Sequence, residues 1–436
     1  MAINVSNQCN VQWLLLLVLL LTVSYGESRY SIPCTCRPIE NPAALHTVPQ
    51  LIRDQGYTVE VHNVTTRDGY ILEMHRILPT NHKPKLQNPF LNSQSLEKES
   101  IGNLCHGKGG HVSFLMHGLL GSSSEFIMNS PDRALAYMMA DAGWDVWMGN
   151  NRGNTYSRKH KNLDPDTDSK FWDFSWDTMG RYDLPAMLEY VRNHTGFSKI
   201  DFVGHSMGTR TFMAMMHYHP YIKSWINVMA SLGPDVYINH MFEPAKTPLR
   251  LASIFEATIT RTRGGEILES SLTADTCPVI NSTIQFCKSN ILQLVNSIRG
   301  AHIVEEFRPI IEAHNPAGSS IRSIAHYGQL LSSRGFTAYD YGRQRNLLEY
   351  GSVYAPELCL QRAQVPVALY WGEGDIISHP EDVKRLAAEL PNVIVNHKVK
   401  YKEFGHLDFI WSKNATYIYY HLMRTFLNNA CNNKLN

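Results

Sequence analysis

The sequence lacks any strong imbalance of charge. Among its 436 residues, 40 are lysine or arginine and 39 are aspartate or glutamate, so the formal net charge is +1. Proteins that bind nucleic acid concentrate basic residues on one surface. The even balance therefore argues against a nucleic-acid partner and fits a neutral substrate.

Motifs for metals and cofactors are also missing. The chain has no H-E-x-x-H motif, no P-loop and no G-x-G-x-x-G after a predicted strand. Only Thr35 separates Cys34 from Cys36, whereas zinc sites usually have two residues between paired cysteines. We therefore predict neither a cofactor nor a metal ion. Internal repeats are absent as well.

Long apolar runs are absent except at the N-terminus. Residues 13–23 read WLLLLVLLLTV, which is short for a membrane span and typical of a signal peptide. Ser24 and Gly26 supply the small residues of a cleavage site. Residues 1–12 contain no lysine or arginine, so an uncleaved anchor is the alternative. We predict a signal peptide at 1–26, a secreted protein and no stable membrane span after cleavage.

Cysteines and glycosylation sequons agree with export. The chain has 8 cysteines, and Cys9 leaves with the signal peptide, so an odd number remains and at least one is unpaired or intermolecular. Cys277 and Cys287 are the best candidates for a disulfide, since they are close in sequence and joined by a polar stretch. The candidate glycosylation sites are Asn63, Asn193, Asn281 and Asn414.

Short apolar runs ending in turns alternate with helix-length segments. This alternation predicts an α/β fold, in which a mostly parallel central sheet is flanked by helices. The predicted helices include residues 131–143 and 184–193. The predicted strands are residues 112–116, 144–148, 200–203, 226–230, 367–371 and 393–399.

Residues 237–362 interrupt this rhythm with helical patterns. A separate C-terminal domain is one interpretation, but strand-like runs resume at Val367, which favours an inserted, mainly helical cap. We therefore divide the mature chain into a first core part at 27–236, a cap at 237–362 and a last core part at 363–436.

The best candidate for a reactive group is Ser206. It lies in Gly204-His205-Ser206-Met207-Gly208, a G-x-S-x-G motif with a predicted strand before it and a predicted helix after it. That context is typical of a nucleophile elbow, in which a tight turn presents the serine at the end of a strand. An ordinary strand-to-helix turn is the alternative.

A serine nucleophile needs a base, and the base needs an orienting acid. Asp375 and His406 follow in the order serine, acid, histidine, each in a loop after a predicted strand. Glu373 is the rival for the acid. Asp408 is interpreted as a local hydrogen-bonding partner within the His406 loop.

The tetrahedral intermediate of such a reaction needs two backbone donors. The amides of Met207, just after the nucleophile, and of Leu119, in the loop His117-Gly118-Leu119-Leu120-Gly121, are the candidates for this oxyanion hole. A plain glycine turn is the alternative interpretation of that loop.

Several ordered strings resemble the acid lipase family, which includes gastric lipase, lysosomal acid lipase and many insect secreted lipases. The resemblance extends from about Gly56 to Leu427. The strings are Thr66-Arg67-Asp68-Gly69-Tyr70, His117-Gly118-Leu119-Leu120, Asn151-Arg152-Gly153-Asn154-Thr155, Tyr182-Asp183-Leu184-Pro185, the elbow, His314-Asn315-Pro316-Ala317-Gly318 and Gly405-His406-Leu407-Asp408-Phe409.

The resemblance implies an α/β-hydrolase fold with a lid, the triad Ser206, Asp375 and His406, and oxyanion donors at Leu119 and Met207. It implies hydrolysis of neutral lipid esters, triacylglycerols or sterol esters, at a lipid–water interface, outside the cell or in the lysosomal lumen. An esterase for small soluble esters and a non-catalytic lipid-binding relative are the alternatives. Two departures stand out: Met207 replaces the usual glutamine, and Gly374 replaces the usual asparagine before the acid.

Overall fold

The computed structural model of the protein describes residues 41–80, 110–267 and 303–435. The predicted signal peptide, Cys277, Cys287 and Asn281 lie outside these residues.

The described strands belong to one large sheet and one short two-stranded sheet. All six strands predicted from the apolar runs are present, and further strands accompany them. The strands are β1 Val59–Thr65, β2 Tyr70–Ile77, β3 His111–Met116, β4 Trp144–Gly149, β5 Lys159–His160, β6 Ile200–His205, β7 Ile226–Leu232, β8 Glu266–Ile267, β9 Ser319–Ser320, β10 Val367–Trp371 and β11 Val393–Lys398.

Helices separate most of these strands in sequence. They are α1 Val48–Asp54, α2 Leu135–Asp141, α3 Trp176–Thr178, α4 Leu184–Thr195, α5 Met207–Tyr218, α6 Glu243–Arg263, α7 Arg308–His314, α8 Ile321–Ser332, α9 Arg343–Tyr350, α10 Pro380–Glu389, α11 Asp408–Trp411 and α12 Thr416–Leu435.

The large sheet has the order β1-β2-β4-β3-β6-β7-β10-β11, with β5 paired to β2. The pairings from β4 to β11 are parallel, and those of β1 with β2 and of β2 with β4 are antiparallel. The carboxyl ends of the parallel strands therefore meet at one edge, where α/β folds place their sites. The predicted mostly parallel α/β fold is confirmed.

Both faces of the sheet centre are covered, which explains the continuous apolar runs. Neighbouring residues of a strand point to opposite faces. Phe114 and Phe202 accordingly belong to one buried cluster, and Leu115 and Val203 to the other. The edge strand β11 alternates between half-buried and exposed residues instead.

Residues 233–366 connect two strands that are neighbours in the sheet. β7 and β10 pair in parallel, with Met229 opposite Val367. The described part of the connection contains α6 to α9 and the β8–β9 pair, which was not evident in the sequence. Helices α6 and α8 pack against one another. The chain thus leaves the sheet after β7 and returns to it beside its point of exit.

Surface features of the described residues bear on the predicted modifications. Asn63 and Asn193 are exposed, and Asn414 is half-buried. Cys359 is a free thiol, and Cys431 is disulfide-bonded. Within the three described ranges, no helix is long and apolar enough to cross a membrane.

Candidate active site

Ser206 lies in the turn between β6 and α5. Its backbone has φ 50° and ψ −119°, a conformation that costs a non-glycine residue about 1–3 kcal/mol. Among the described residues, Leu120 is the other non-glycine residue with positive φ, and it lies in the neighbouring oxyanion loop. The surrounding structure therefore holds the serine in a strained turn, as a nucleophile elbow requires.

The second glycine of the motif allows the elbow to approach β3. A Cβ atom at Gly208 would lie 2.3 Å from the carbonyl oxygen of Met116, the last residue of β3. This contact brings the loop after β3 to the serine, so a Cβ at Gly118 would lie 3.2 Å from Ser206 Cβ. The predicted oxyanion loop is therefore adjacent to Ser206.

The structure places the two predicted oxyanion donors on either side of this contact. Met207 is the first residue of α5, where backbone N–H groups have no partner within the helix. Leu119 follows Gly118 in a turn closed by a hydrogen bond from Gly121 N to Gly118 O of 3.2 Å. A glycine turn is thus present, and it lies beside Ser206. The Met207 side chain itself is buried in the core.

Asp375 and His406 form a buried pair beyond the ends of β10 and β11. Asp375 Oδ2 lies 2.8 Å from His406 Nδ1, and the side chains are nearly inaccessible to solvent. Asp375 Oδ1 accepts hydrogen bonds of 2.8 Å from the amides of Ile377 and Ser378. The carboxylate is therefore fixed by its own loop while it orients the imidazole.

The electrostatics of this pair suit an ionised acid and a strengthened base. Burial opposes ionisation of Asp375, but the His406 charge and the hydrogen bonds to its oxygens outweigh burial and lower its pKa. Burial alone would lower the pKa of His406. The charges of Asp375, Asp235 and Glu125 outweigh it, so the pKa is raised.

The second ring nitrogen of His406 is not held by a neighbouring group. His406 Nε2 is buried and has no hydrogen-bond partner. A Cβ at Gly233, next to the Leu232 carbonyl that binds the Ser206 amide at 3.0 Å, would lie 3.1 Å from His406 Nδ1. The serine and the histidine therefore share the same edge of the sheet, and Nε2 is free to take a proton there.

The rival acid Glu373 and the loop residue Asp408 have different surroundings. The Glu373 carboxylate is 43% exposed and lies 2.7 Å from Lys398 Nζ. Asp408 Oδ2 accepts a hydrogen bond of 2.7 Å from the Gly405 amide, the local role suggested by its position in the loop. Asp375 is thus the carboxylate paired with His406.

Sequence reasoning missed two buried acidic residues near this pair, Glu125 and Asp235. Asp235 follows β7 and accepts a hydrogen bond of 2.6 Å from the Tyr327 hydroxyl in α8. The rule that identified Asp375, a carboxylate in a loop after a strand, could have found Asp235. Glu125 carries no such signal, because it does not follow a strand directly and its histidine partner, His205, is 80 positions away.

Three of the quoted strings converge on a second buried network. Arg152 donates to Asp183 Oδ1 at 2.8 Å and to Asp68 Oδ2 at 2.6 Å, and its guanidinium lies 3.8 Å from the Tyr70 ring centroid. The side chain of Arg152 is 1% exposed. This network ties the β1–β2 hairpin to the loop after β4 and to the start of α4.

One cluster in the described residues has the donor set of a cation site. Ligand atoms of Glu60, His62 and His194 lie within 4.8 Å of one another. The Arg76 guanidinium donates to Glu60 at 2.7 Å and contacts His194 Nε2 at 3.3 Å. An arginine thus already supplies the positive charge of this cluster.

Comparison with known proteins gives consistent results. A family profile described as "alpha/beta hydrolase fold" matches residues 114–413, and one described as "Partial alpha/beta-hydrolase lipase region" matches residues 48–130. Lipase 1 of Drosophila melanogaster is 35% identical over 86% of this chain and 78% of that protein. Lipase 3 of the same organism is 36% identical over 84% and 89%. Gastric triacylglycerol lipase of Bos taurus is 32% identical over 91% and 95%.

Proposed function

Because this chain belongs to the acid lipase family of α/β hydrolases and is therefore a lipase, we propose that it hydrolyses neutral lipid esters with Ser206, His406 and Asp375. The observation that carries this assignment is the buried Asp375–His406 pair, whose Nε2 has no hydrogen-bond partner, at the sheet edge that also holds the strained Ser206. The oxyanion donors are the amides of Leu119 and Met207. No cofactor takes part.

The first half-reaction forms an acyl-serine. His406 Nε2 removes the hydroxyl proton as Ser206 Oγ attacks the ester carbonyl carbon. The carbonyl oxygen becomes an oxyanion, which accepts hydrogen bonds from the two backbone donors. His406 then gives its proton to the departing alcohol oxygen as the ester C–O bond breaks.

The second half-reaction releases the fatty acid. Water loses a proton to His406 Nε2 and attacks the acyl carbon, and the proton returns to Ser206 Oγ as the acyl–serine bond breaks. Asp375 holds the imidazole in the tautomer with hydrogen on Nδ1 and stabilises the charged ring. During turnover, the protonated ring is formed by the first proton transfer of each half-reaction and consumed by the second.

Triacylglycerols or sterol esters are the proposed substrates. The bovine relative is named a triacylglycerol lipase, and its match extends over 91% of this chain. The inserted cap at 237–362 would cover an apolar trough and open at a lipid surface. Large apolar side chains are exposed on the described part of this segment, namely Phe242, Ile254, Leu347, Leu348 and Tyr354.

The proposed site of action is outside the cell, with the lysosomal lumen as the alternative. The signal-peptide pattern at 1–26 and the sequons support the secretory route. The exposure of Asn63 and Asn193 makes both accessible to a glycosyltransferase.

The test compares wild type with Ser206→Ala on an emulsified long-chain triacylglycerol and on a short soluble ester. Ser198→Ala, at an exposed serine, is the control and should retain full activity. We expect wild type to cleave the emulsion and Ser206→Ala to cleave neither substrate. Cleavage of the soluble ester alone would indicate an esterase. Inactive wild type would favour a lipid-binding protein, and an active Ser206→Ala variant would refute the proposed nucleophile.

The lid role of the cap has its own test. A cross-link that holds the cap against the core should abolish hydrolysis of emulsions, and reduction of the cross-link should restore it. Unchanged emulsion activity in the cross-linked enzyme would contradict the lid role.

A further inference from the structure

We propose that Glu125, acting through His205, is a positioning residue that holds the oxyanion loop, the nucleophile elbow and the loop of the base in register. Glu125 lies in the short 3₁₀ helix Ser123–Phe126, after the oxyanion loop. The inference rests on the proposed function, because it concerns the geometry around Ser206.

The Glu125 carboxylate binds the oxyanion loop directly. Its two oxygens lie 3.1 and 3.0 Å from the amide nitrogen of Gly118, the residue before the proposed donor Leu119. The Glu125 side chain is only 4% exposed. A buried carboxylate that accepts a backbone hydrogen bond fixes that backbone segment, because moving it would leave the charge unpaired.

The same carboxylate binds the elbow. Glu125 Oε2 lies 2.9 Å from Nδ1 of His205, the residue before Ser206. His205 Nε2 lies 3.2 Å from the backbone carbonyl oxygen of His406. A continuous path of polar contacts therefore runs from the Gly118 amide through Glu125 and His205 to the backbone of the proposed base.

His205 lies between two hydrogen-bond acceptors on this path. Each ring nitrogen of His205 faces an oxygen that accepts, a carboxylate on one side and a carbonyl on the other. A ring nitrogen that carries a proton donates it to the oxygen that it faces. Burial opposes ionisation of Glu125, but the charges of His205 and His117 outweigh it and lower the Glu125 pKa. The Glu125 side chain is thus held as a carboxylate beside the oxyanion loop.

The absence of a side chain at Gly121 leaves room for the Glu125 carboxylate. A Cβ at Gly121 would lie 1.9 Å from Glu125 Oε1, at the far end of a flexible side chain. Gly121 has no positive φ. Alanine there would therefore displace the carboxylate while the backbone turn could persist.

The consequence for catalysis is geometric. Glu125 contacts the loop and the elbow, and its oxygens are occupied by Gly118 and His205. An oxyanion donor contributes about 10²–10³-fold to kcat when it is in place, and an ångström of displacement can remove about a hundredfold. Loss of Glu125 should therefore act on the transition state rather than on substrate binding.

The test measures hydrolysis of a short soluble ester by Glu125→Gln, which keeps the side-chain size and removes the charge. Each preparation is titrated with a serine-reactive phosphonate, so that kcat refers to folded, reactive sites. We expect kcat to fall about 10- to 100-fold with KM within about twofold of wild type. Equal kcat per titrated site would overturn the inference. If wild type were neither active nor labelled at Ser206, the proposed function would fail instead.

The pH profile gives a readout that a purely structural role would not move. The Glu125 charge helps to raise the pKa of His406, together with the charges of Asp375 and Asp235. Removing it should shift the acid limb of kcat/KM to lower pH, because His406 then loses its proton at lower pH. The variant leaves His117, Asp375 and Asp235 in place. An unshifted limb would contradict the electrostatic contact.

Two further variants protect the test against simple misfolding. Gly121→Ala keeps Glu125 but displaces its carboxylate, and should reproduce the loss of kcat per titrated site. Asp201→Asn is the matched control: Asp201 is a buried carboxylate at the other end of β6 that binds Trp144 at 2.9 Å and Asn227 at 2.6 Å. It should reduce stability and leave kcat per titrated site unchanged. An equal loss of kcat per titrated site in Asp201→Asn would show that any buried carboxylate has this effect, and it would overturn the inference.

Discussion

Two buried carboxylate–histidine pairs lie at the same edge of the sheet. Asp375 lies 2.8 Å from His406 Nδ1, and Glu125 lies 2.9 Å from His205 Nδ1. The two imidazole centroids are 5.1 Å apart. The pairs differ in the other ring nitrogen: His406 Nε2 has no partner, whereas His205 Nε2 faces the His406 carbonyl.

This difference shows that the pair alone does not define a base. A ring with one nitrogen held and the other open can accept and return a proton. A ring held at both nitrogens can only maintain distances between the segments that it joins. The contacts of Nε2 therefore support the proposed roles, proton transfer for His406 and positioning for His205, and each role can be tested separately.

The largest expected effect comes from removing the open ring. His406→Ala should lower kcat by at least about 10⁴-fold, because it removes the proposed acceptor of the Ser206 proton. His205→Asn should cost no more than about a hundredfold, since it disturbs geometry alone. Steady-state hydrolysis of a soluble ester measures both. Losses of kcat of similar size in the two variants would contradict the different roles proposed for His406 and His205.

Removing the acid of the open pair should come next. Asp375→Asn should reduce kcat by about 10⁴-fold, because an amide can hold the imidazole in the wrong tautomer. The matched control is Glu373→Gln, whose carboxylate is 43% exposed and faces Lys398. It should retain wild-type kcat. Loss of kcat in Glu373→Gln with wild-type kcat in Asp375→Asn would indicate that Glu373 is the acid.

The pH dependence of stability sharpens the comparison further. The raised pKa of His406 gives a contribution to stability that is complete below its unfolded value of about 6.5 and is lost as pH rises through the folded value. The lowered pKa of Asp375 gives a contribution present above about 3.9 and lost as pH falls through its folded value.

The Asp375–His406 pair should thus stabilise the fold most between about pH 3.9 and 6.5, where its base is protonated and inactive. Urea unfolding of wild type and Asp375→Asn, from about pH 3.9 to pH values above the folded pKa of His406, measures the contribution. The difference in unfolding free energy should shrink as pH rises above the folded pKa of His406. A difference that did not change with pH would contradict ionic pairing.

The smallest expected effect concerns the departure from the family at Met207. Its side chain is buried in the core, and the proposed oxyanion donor is its backbone amide. Met207→Leu should therefore leave kcat within about twofold and cost less than about 1.5 kcal/mol of stability. Soluble-ester kinetics and thermal unfolding measure the two quantities. A large loss of kcat would mean that the methionine side chain itself contributes to the site.

Local patterns in the sequence determined the strands, the elbow and the order of serine, acid and histidine. Apolar runs reveal strands buried on both faces, and G-x-S-x-G reveals a tight turn, because both are constraints between residues close in sequence. The six predicted strands and the convergence of Asp375 with His406 could therefore be anticipated from the chain alone.

Only the tertiary structure decided which polar groups share the interior. Glu125 meets His205 across 80 positions of sequence, and Arg152 joins Asp68 and Asp183 across 84 and 31. No periodicity or motif links such partners, because their contact depends on how distant loops pack together. Folding likewise decided that the Met207 side chain is buried and that His406 Nε2 has no hydrogen-bond partner. Both depend on neighbours that meet only in the folded chain.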